Sequence, residues 1–414
     1  MLNWANQFNI CCFLDNNNYS SQWRQYEAVL AVNALQAISL PAGNALQALH
    51  DFHQNNNDWL FGHLAYDLKN ETASLESRHF DGVGFPDLFF FKPEFVLLLT
   101  ETGVAIGGVD LSRNNALEIF NACMSAPASD PVISRQPLPA VRHRLSKQEY
   151  LDAVAALQHH IQQGDCYEVN FCRENFIPGA VVYPPALFQR LNSYSPAPFA
   201  AYYRLNDKYM ACSSPERYLQ KKGEHVISQP IKGTSRKDPD PVVDQQLQQQ
   251  LYNDPKERAE NVMVVDLVRN DLAHTARQGS VEVSELFGIY GFAHVHHMIS
   301  TISAKVPANV PFTEIIRTTF PMGSMTGAPK LRVMQLIERY EKTRRGLYSG
   351  ALGYITPEGD FDFNVVIRSI LYNATAQYLS YSTGSAITFY SDPEKEYEEC
   401  LLKAAALHKV LSAE

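Results

Sequence analysis

The order of apolar and polar residues predicts a chain in which helices and strands are both frequent. After Ser146, apolar residues recur at Tyr150, Val154 and Leu157, which is the spacing of one helix face. Ser146 followed three residues later by Glu149 forms a capping box, so a helix is expected to begin there. Further helices are predicted at 255–272, 311–319, 329–342 and 393–411.

Strands are predicted where aromatic and β-branched residues form short apolar or alternating runs. Residues 85–99 predict two buried strands separated by a turn at Lys92-Pro93. Because strands and helices do not alternate strictly, an α+β fold is favoured over a doubly wound one. The other predicted strands are at 169–176, 199–212, 281–304, 348–356, 363–371 and 378–389.

A proline-rich stretch divides the chain into two regions. Residues 125–140 contain four prolines and little apolar periodicity, which is typical of a linker. The sequence therefore predicts a sheet-rich N-terminal region at 1–140 and a second region at 141–414, which contains the candidate chemistry.

Composition and charge narrow the class of protein. Of the 414 residues, 45% are hydrophobic and 19% charged, as in an ordinary globular protein, and the net charge of −9 argues against a nucleic-acid-binding protein. No apolar run is long enough for a membrane span. The seven irregularly spaced cysteines indicate neither a disulfide framework nor a zinc site. We expect a protein of a reducing compartment, the cytoplasm.

Two of the predicted helices begin alike, with aspartate as the N-cap and proline at the first helical position, at 254–255 and 392–393. Each helix then carries two glutamates three residues apart, which share a face. If the two faces meet, their carboxylates form a site for a hard cation such as Mg²⁺. The alternative is that they only complement the helix dipole and face water. The glutamates are Glu257 and Glu260 in the first helix, and Glu396 and Glu399 in the second.

Lys232 lies in a turn-forming segment between Pro230 and Gly233. A lysine nucleophile needs a neutral amine, which desolvation or a nearby cation could favour by lowering its pKa. Arg236 and Lys237 could supply such a field. The alternative is an ordinary solvated lysine.

Three further segments are candidates for chemistry. Glu216 follows an apolar strand and could act as a general acid if burial raises its pKa, whereas the alternative is a turn glutamate paired with Arg217. Residues 323–330 predict an anion-cradling turn before a helix, or a purely structural turn. The histidines within 294–297 alternate between the two sides of a strand, so no three-histidine metal site is expected.

Taken together, these segments resemble component I of the anthranilate and para-aminobenzoate synthases, enzymes that use chorismate. The resemblance covers roughly residues 146–405 and implies two intertwined α+β parts, with packed β-sheets at the centre and helices outside. It also implies that 141–414 is the chorismate-binding catalytic region. The matching segments are 230–234 (PIKGT), 259–272, 323–330, 346–350 (GLYSG), 364–368 and 391–394 (SDPE), with a weaker match at 61–68.

The resemblance implies roles for individual residues. Magnesium, which would bind the ring carboxylate of chorismate, would be held by Glu260 and Glu399, with Glu257 and Glu396 near it or acting through water. The other substrate-binding residues would be Arg368, Tyr348, Thr234, Gly233, Gly384 and Ser385. The catalytic residues would be Lys232, Glu216, which assists loss of the C4 hydroxyl, and His297, which lies beside the ring.

Lys232 separates the branches of this family. The branch that forms 4-amino-4-deoxychorismate for para-aminobenzoate and folate carries lysine here, where anthranilate synthases carry alanine. The amine would attack C2 of chorismate, and ammonia would then attack C4 and expel it. Because the chain has no G-x-C-x-G element, ammonia is expected from a separate glutamine amidotransferase subunit.

Three alternatives remain open on the sequence. The first is anthranilate synthase component I. The second is an enzyme that forms isochorismate or salicylate. Lys232 and Glu168 both disfavour it, the latter because the isochorismate-forming relatives carry lysine at the position of Glu168. The third is a non-catalytic regulatory subunit that has kept the chorismate pocket.

Overall fold

The computed structural model describes residues 1–127 and 132–412. Within these ranges the chain forms eleven α-helices, two short 3₁₀ helices and nineteen strands, which confirms the α+β prediction. No helix in the described ranges has both the length and the apolarity that a membrane crossing requires.

The helices, in chain order, are α1 (Leu2–Ala5), α2 (Ala45–Asn56), α3 (Lys69–Thr72), α4 (Arg113–Ser125), α5 (Lys147–Gln162), α6 (Pro184–Tyr194), α7 (Pro241–Asn253), α8 (Pro255–Ala273), α9 (Phe312–Thr319), α10 (Lys330–Tyr340) and α11 (Pro393–Leu411). The 3₁₀ helices are Tyr66–Leu68 and Gly323–Met325.

The strands are β1 (Ile10–Asp15), β2 (Ala28–Leu40), β3 (Leu60–Leu64), β4 (Leu88–Thr100), β5 (Gly103–Gly108), β6 (Arg142–His143), β7 (Glu168–Pro178), β8 (Phe199–Leu205), β9 (Lys208–Ser214), β10 (Arg217–Lys222), β11 (His225–Gln229), β12 (Ile231–Arg236), β13 (Glu282–Gly291), β14 (Val295–Lys305), β15 (Gly327–Ala328), β16 (Ala351–Ile355), β17 (Phe361–Val365), β18 (Ser369–Asn373) and β19 (Tyr378–Ile387).

The strands pair antiparallel in one continuous ribbon. β6 and β15 both pair with β7, and from β7 the order is β19, β18, β9, β8, β1, β2 and β4. Beyond β4 it continues through β3, β16, β17, β10, β11 and β14 to β13, while β12 also pairs with β14. Strands from the first 100 residues thus join the two ends of the ribbon, which agrees with the predicted intertwined fold.

Helices cover the outer faces of this ribbon and bury its apolar side chains. Val265 and Val268 anchor α8 in the same cluster as Ile315 of α9, whereas Leu407 anchors α11 in a cluster that includes Leu191 of α6. These apolar residues lie in the later turns of α8 and α11. The first turns of both helices, with their glutamates, are therefore left free to face a site.

Several predicted strand ranges differ from the structure, since 281–304 and 363–371 each contain parts of two strands, and two further ranges were wrong in their turns. The predicted turn at Lys92-Pro93 does not exist, because β4 runs straight through it; Pro93 pairs at a register shift in β2, where a missing backbone donor is tolerated. The single strand predicted at 199–212 is a hairpin of β8 and β9, with Asn206 at φ 57° in its turn.

The predicted linker at 125–140 lies partly outside the described residues. In its described part Ile133 is buried, and its carbonyl accepts a hydrogen bond of 2.6 Å from the backbone N–H of Tyr183. The boundary between the regions 1–140 and 141–414 stays a prediction.

Candidate active site

Lys232 is presented by a bulge in β12. The pairing of β12 with β14 changes register within 231–234, and a bulge of this kind re-aims a side chain. Gly233 has φ +95°, and a Cβ there would lie 3.1 Å from a carboxylate oxygen of Glu257, so the position favours glycine. As a result, Lys232 Nζ donates to Glu168 Oε1 at 2.5 Å, with 11% of the lysine side chain exposed.

Acidic groups surround this amine. Burial acts to lower the pKa of Lys232, but the carboxylates of Glu168, Glu260 and Glu399 together hold that pKa above its usual value. The prediction that the cations at 236–237 lower the pKa was therefore wrong. In the resting protein the amine is protonated, and it must lose a proton before it can act as a nucleophile.

The two helix starts are as predicted. The Asp254 side chain accepts hydrogen bonds from the backbone N–H groups of Lys256 and Glu257, and Asp392 caps α11 in the same way. Both caps precede a proline at the first helical position. The caps fix the direction of the first turns and therefore of the glutamates on them.

Each of the four predicted metal ligands lies within electrostatic reach of at least one other. Burial raises the pKa values of Glu257, Glu396 and Glu260, that of Glu260 to about 7. Burial also acts to raise the pKa of Glu399, but Lys403, which donates to it at 2.6 Å, outweighs burial together with Lys232 and Lys256, so that this pKa is lowered. Within the described ranges, no three or more acidic, histidine or cysteine side chains converge closely enough to hold a metal ion.

Glu216 is a buried acid on the connection between β9 and β10, only 4% exposed. Its Oε1 accepts a hydrogen bond of 2.5 Å from Ser324 Oγ, and burial raises its pKa to about 7. The alternative pairing with Arg217 does not occur, because Arg217 makes two hydrogen bonds of 3.0 and 3.1 Å to Asp362. Glu216 can therefore hold a proton near neutral pH and donate it.

His297 is held as a neutral imidazole. It lies opposite Thr234 on neighbouring strands, and a hydrogen bond of 3.0 Å joins Thr234 Oγ1 to His297 Nδ1. Burial lowers the pKa of His297 to about 3, and Phe292 packs edge-on against the ring at 4.9 Å. His297 can orient a ligand by hydrogen bonding but carries no charge at neutral pH.

Arg368 and Tyr348 lie at one side of the site. Arg368 follows β17 with φ +50°, and burial lowers the pKa of its guanidinium. Among residues 1–127 and 132–412, none forms a hydrogen bond or an ion pair with that guanidinium. Tyr348 is buried, with its hydroxyl 4.0 Å from Cys172 Sγ. A half-buried, unpaired guanidinium is suited to a carboxylate ligand.

Gly384 and Ser385 lie within β19, where they pair with β7. The Ser385 hydroxyl is 2.9 Å from the hydroxyl of Tyr150 in the core beneath α5, and the Gly384 carbonyl accepts 2.9 Å from Lys403 Nζ. The Ser385 hydroxyl also forms a hydrogen bond with the Glu396 carboxylate, so this side chain supports a predicted metal ligand, while the backbone at these two positions could serve the substrate.

The fold and the assembled residues agree with one family of known proteins. A family model described as chorismate binding enzyme matches residues 11–409. The chain belongs to this family. Its relatives include aminodeoxychorismate synthase component 1 of Salmonella typhimurium, 34% identical over 82% of this chain and 73% of that protein. Anthranilate synthase component 1 of Thermus thermophilus is 32% identical over 84% of this chain and 76% of that protein.

Solved structures show the same fold. Anthranilate synthase component I from Streptococcus pneumoniae superposes with a TM-score of 0.82 at 23% identity, covering 95% of this chain and 94% of that one.

Two side chains were not recognised from the sequence as parts of the site. Ser324 was noticed only as part of the turn at 323–330, with no sign of its contact with Glu216, whereas Lys403 could have been found from its i,i+4 spacing to Glu399.

The turn at 323–330 packs against the site instead of cradling an anion. Lys330 Nζ is paired with Asp271 at 2.5 Å, and Gly327 pairs with Val169 of β7. A Cβ on Gly327, which has φ +140°, would lie 2.1 Å from the carbonyl oxygen of Glu168. The described contacts therefore support the structural interpretation of this turn.

A buried arginine ties these segments of the chorismate-binding fold together. Arg345 donates to the Glu341 carboxylate at 2.6 and 2.9 Å, and to the carbonyl oxygens of Met325 at 2.7 Å and Asn170 at 2.8 Å. Burial acts to lower the pKa of Arg345, but nearby groups including Glu341 outweigh it, so the guanidinium stays charged. Removal of Arg345 would leave Glu341 as a buried, unpaired charge.

We expect Arg345→Met to lower the free energy of unfolding by about 3–5 kcal/mol, the usual cost of breaking a buried ion pair from one side. Urea unfolding followed by circular dichroism measures the change. The control is Arg78→Met, whose ion pair with Glu76 is exposed on both sides and should hardly alter the midpoint. Equal midpoints for the two variants would contradict the prediction.

Proposed function

We propose that this chain is component I of an aminodeoxychorismate synthase, which converts chorismate and ammonia to 4-amino-4-deoxychorismate in para-aminobenzoate and folate biosynthesis. One observation carries the proposal: a buried lysine amine, that of Lys232, lies within electrostatic reach of glutamates on both α8 and α11. Further support comes from relatives named aminodeoxychorismate synthase component 1, among them the Salmonella protein.

Two anchors are proposed for the chorismate dianion. Arg368 and Tyr348 bind the enolpyruvyl carboxylate, because the Arg368 guanidinium has no hydrogen-bond or ion-pair partner among the described residues. Mg²⁺, held by Glu260 and Glu399 with Glu257 and Glu396 close by, would neutralise the ring carboxylate. Oxygen donors suit this ion. Burial raises the pKa of Glu260 to about 7 although Lys232 and Lys256, the latter 3.8 Å away, act to lower it, so a divalent ion would stabilise the charged carboxylate.

The chemistry is proposed to proceed by covalent catalysis. The neutral Lys232 amine attacks C2 while the ring double bonds shift and the C4–O bond breaks; Glu216 donates its proton, so that the hydroxyl leaves as water. Ammonia then attacks C4, the double bonds shift back, and the C2–N bond breaks to release Lys232. His297 and Thr234 orient the ring, so that fixed geometry contributes much of the acceleration.

Ammonia is proposed to come from a separate glutamine amidotransferase subunit, which the name component 1 of the relatives supports. A glutaminase assay on the isolated chain should then release no glutamate. The cytoplasm is proposed as the working compartment, supported by seven free cysteines, six of them buried.

Product identity tests the proposal against its rivals. The isolated chain is incubated with chorismate, Mg²⁺ and ammonium, and the products are separated by chromatography. We expect aminodeoxychorismate, which an added lyase converts to para-aminobenzoate. Anthranilate or isochorismate as the main product would favour the corresponding synthase, and the absence of any product would favour a non-catalytic regulator.

The raised pKa of Glu216 predicts a pH dependence. The acid must be protonated to release water, so formation of the Lys232 adduct should be level below pH 7 and fall about tenfold per unit above it. Mass spectrometry of the intact protein with chorismate, but without ammonia, measures the rate. The Glu216→Gln variant should form the adduct slowly at every pH, without the decline above pH 7. A decline that persisted in this variant would show that Glu216 is not the acid that titrates.

A further inference from the structure

Glu168 has no role in the chemistry as described so far, yet it is the closest acidic partner of the reacting amine. It is the first residue of β7 and is 1% exposed. Its Oε1 accepts the 2.5 Å hydrogen bond from Lys232 Nζ, and its Oε2 is buried with no partner in the described ranges. A buried carboxylate oxygen without a donor is costly and calls for an explanation.

The protonated amine needs an acceptor inside the closed site. Lys232 is faced by Glu168 from β7, by Glu257 and Glu260 from α8, by Glu399 from α11 and by Glu216 from the connection between β9 and β10. Glu399 is bound to Lys403, and Glu216 must keep its own proton for the leaving hydroxyl. Of these groups, Glu168 alone forms a hydrogen bond with the amine among the described residues.

We propose that Glu168 accepts the proton that frees the Lys232 amine and returns it when the amine is released, an inference that rests on the proposed function. In the first step the ammonium N–H bond breaks and an O–H bond forms, leaving a neutral amine and a neutral acid. The amine lone pair then forms the bond to C2. After ammonia has expelled Lys232 from C2, the proton passes back and the ion pair is restored.

The fold holds Glu168 in place for this exchange. The backbone N–H of the preceding residue, Tyr167, donates to the carbonyl of Ala328 at 2.8 Å, and Ala328 also pairs with Glu168 itself. Gly327 allows the two backbones to approach this closely. The carboxylate is therefore carried on a rigid strand, and it also fixes the direction of the flexible lysine side chain.

The test is the pH dependence of adduct formation in Glu168→Gln, measured by intact-protein mass spectrometry with chorismate and no ammonia. In the wild type the proton stays within the pair, so the rate should be level at acidic pH. In the variant the amine must lose its proton to solvent, so the rate should rise with pH and be roughly 10²-fold below wild type at pH 6. Glu168→Asp, which keeps a carboxylate, should restore a level profile.

The matched control is Asp271→Asn, which removes the carboxylate of another buried lysine pair of 2.5 Å, with Lys330. It should lower stability without changing the pH profile. A Glu168→Gln variant with the wild-type profile, or with a uniform loss at every pH, would overturn the inference while leaving the proposed function intact. If instead the wild type makes no aminodeoxychorismate, the proposed function itself fails.

Discussion

Replacement of Lys232 with alanine should abolish the covalent adduct and reduce formation of aminodeoxychorismate by roughly 10³-fold. Without the amine, ammonia would have to displace the C4 hydroxyl directly, which merges two easier steps into one difficult step. The variant keeps the buried Glu168 carboxylate but leaves it without its cation. Mass spectrometry of the intact protein and chromatography of the product measure the two losses separately.

Lys232→Arg is the matched control for this variant. The guanidinium keeps a positive charge opposite Glu168 but is no nucleophile, because it stays protonated at any workable pH. If the role of Lys232 were only electrostatic, arginine would preserve much of the activity that alanine loses. We expect both variants to be inactive, and an active arginine variant without an adduct would contradict covalent catalysis.

The parts of the fold that could be predicted are those encoded by local residue order. The capping box before α5 and the Asp-Pro starts of α8 and α11 are such signals, and all three helices begin where the sequence indicates. In contrast, α7 (Pro241–Asn253) was not predicted, although its Asp240-Pro241 start is of the same type. Its glutamine-rich sequence buries only Leu251, so it lacks the apolar stripe that marks a helix.

The parts of the site that could not be predicted are contacts between residues far apart in the chain. Lys232 and Glu168 are 64 positions apart, and Glu216 and Ser324 are 108 positions apart. Residue types indicate that a lysine and an acid are available but not which acid reaches the amine. For this reason the sequence suggested two neighbouring cations as the influence on Lys232, whereas three distant carboxylates determine its pKa.

The acidic environment of Lys232 explains why we expect the loss of a single Mg²⁺ ion to have a large effect on activity. Glu260 and Glu399 lie on different helices, and each lies within electrostatic reach of the Lys232 amine. Lys256 and Lys403 already pair with Glu260 and Glu399. Once chorismate brings two more negative charges, the carboxylates of the site still outnumber its cations. A divalent ion between the helices would remove this repulsion and anchor the ring carboxylate.

We therefore expect Glu260→Gln and Glu399→Gln each to reduce magnesium-dependent activity by about 10²-fold or more, since a loss of about 3 kcal/mol of charge stabilisation corresponds to that factor. Glutamine keeps the size of the side chain but removes the charge. Glu398→Gln is the control. This neighbouring glutamate on α11 is exposed, so its substitution should leave the magnesium-dependent activity unchanged.

Activity alone cannot separate a lost ion from a displaced substrate, so metal binding is measured as well. Titration with Mn²⁺, followed by electron paramagnetic resonance, should reveal one tight site in the wild type and in Glu398→Gln. That site should be weakened in both Glu260→Gln and Glu399→Gln, because each removes one charged ligand from a different helix. Unchanged Mn²⁺ affinity in either variant would show that the ion is held elsewhere, and the pairing of α8 with α11 as a metal site would have to be abandoned.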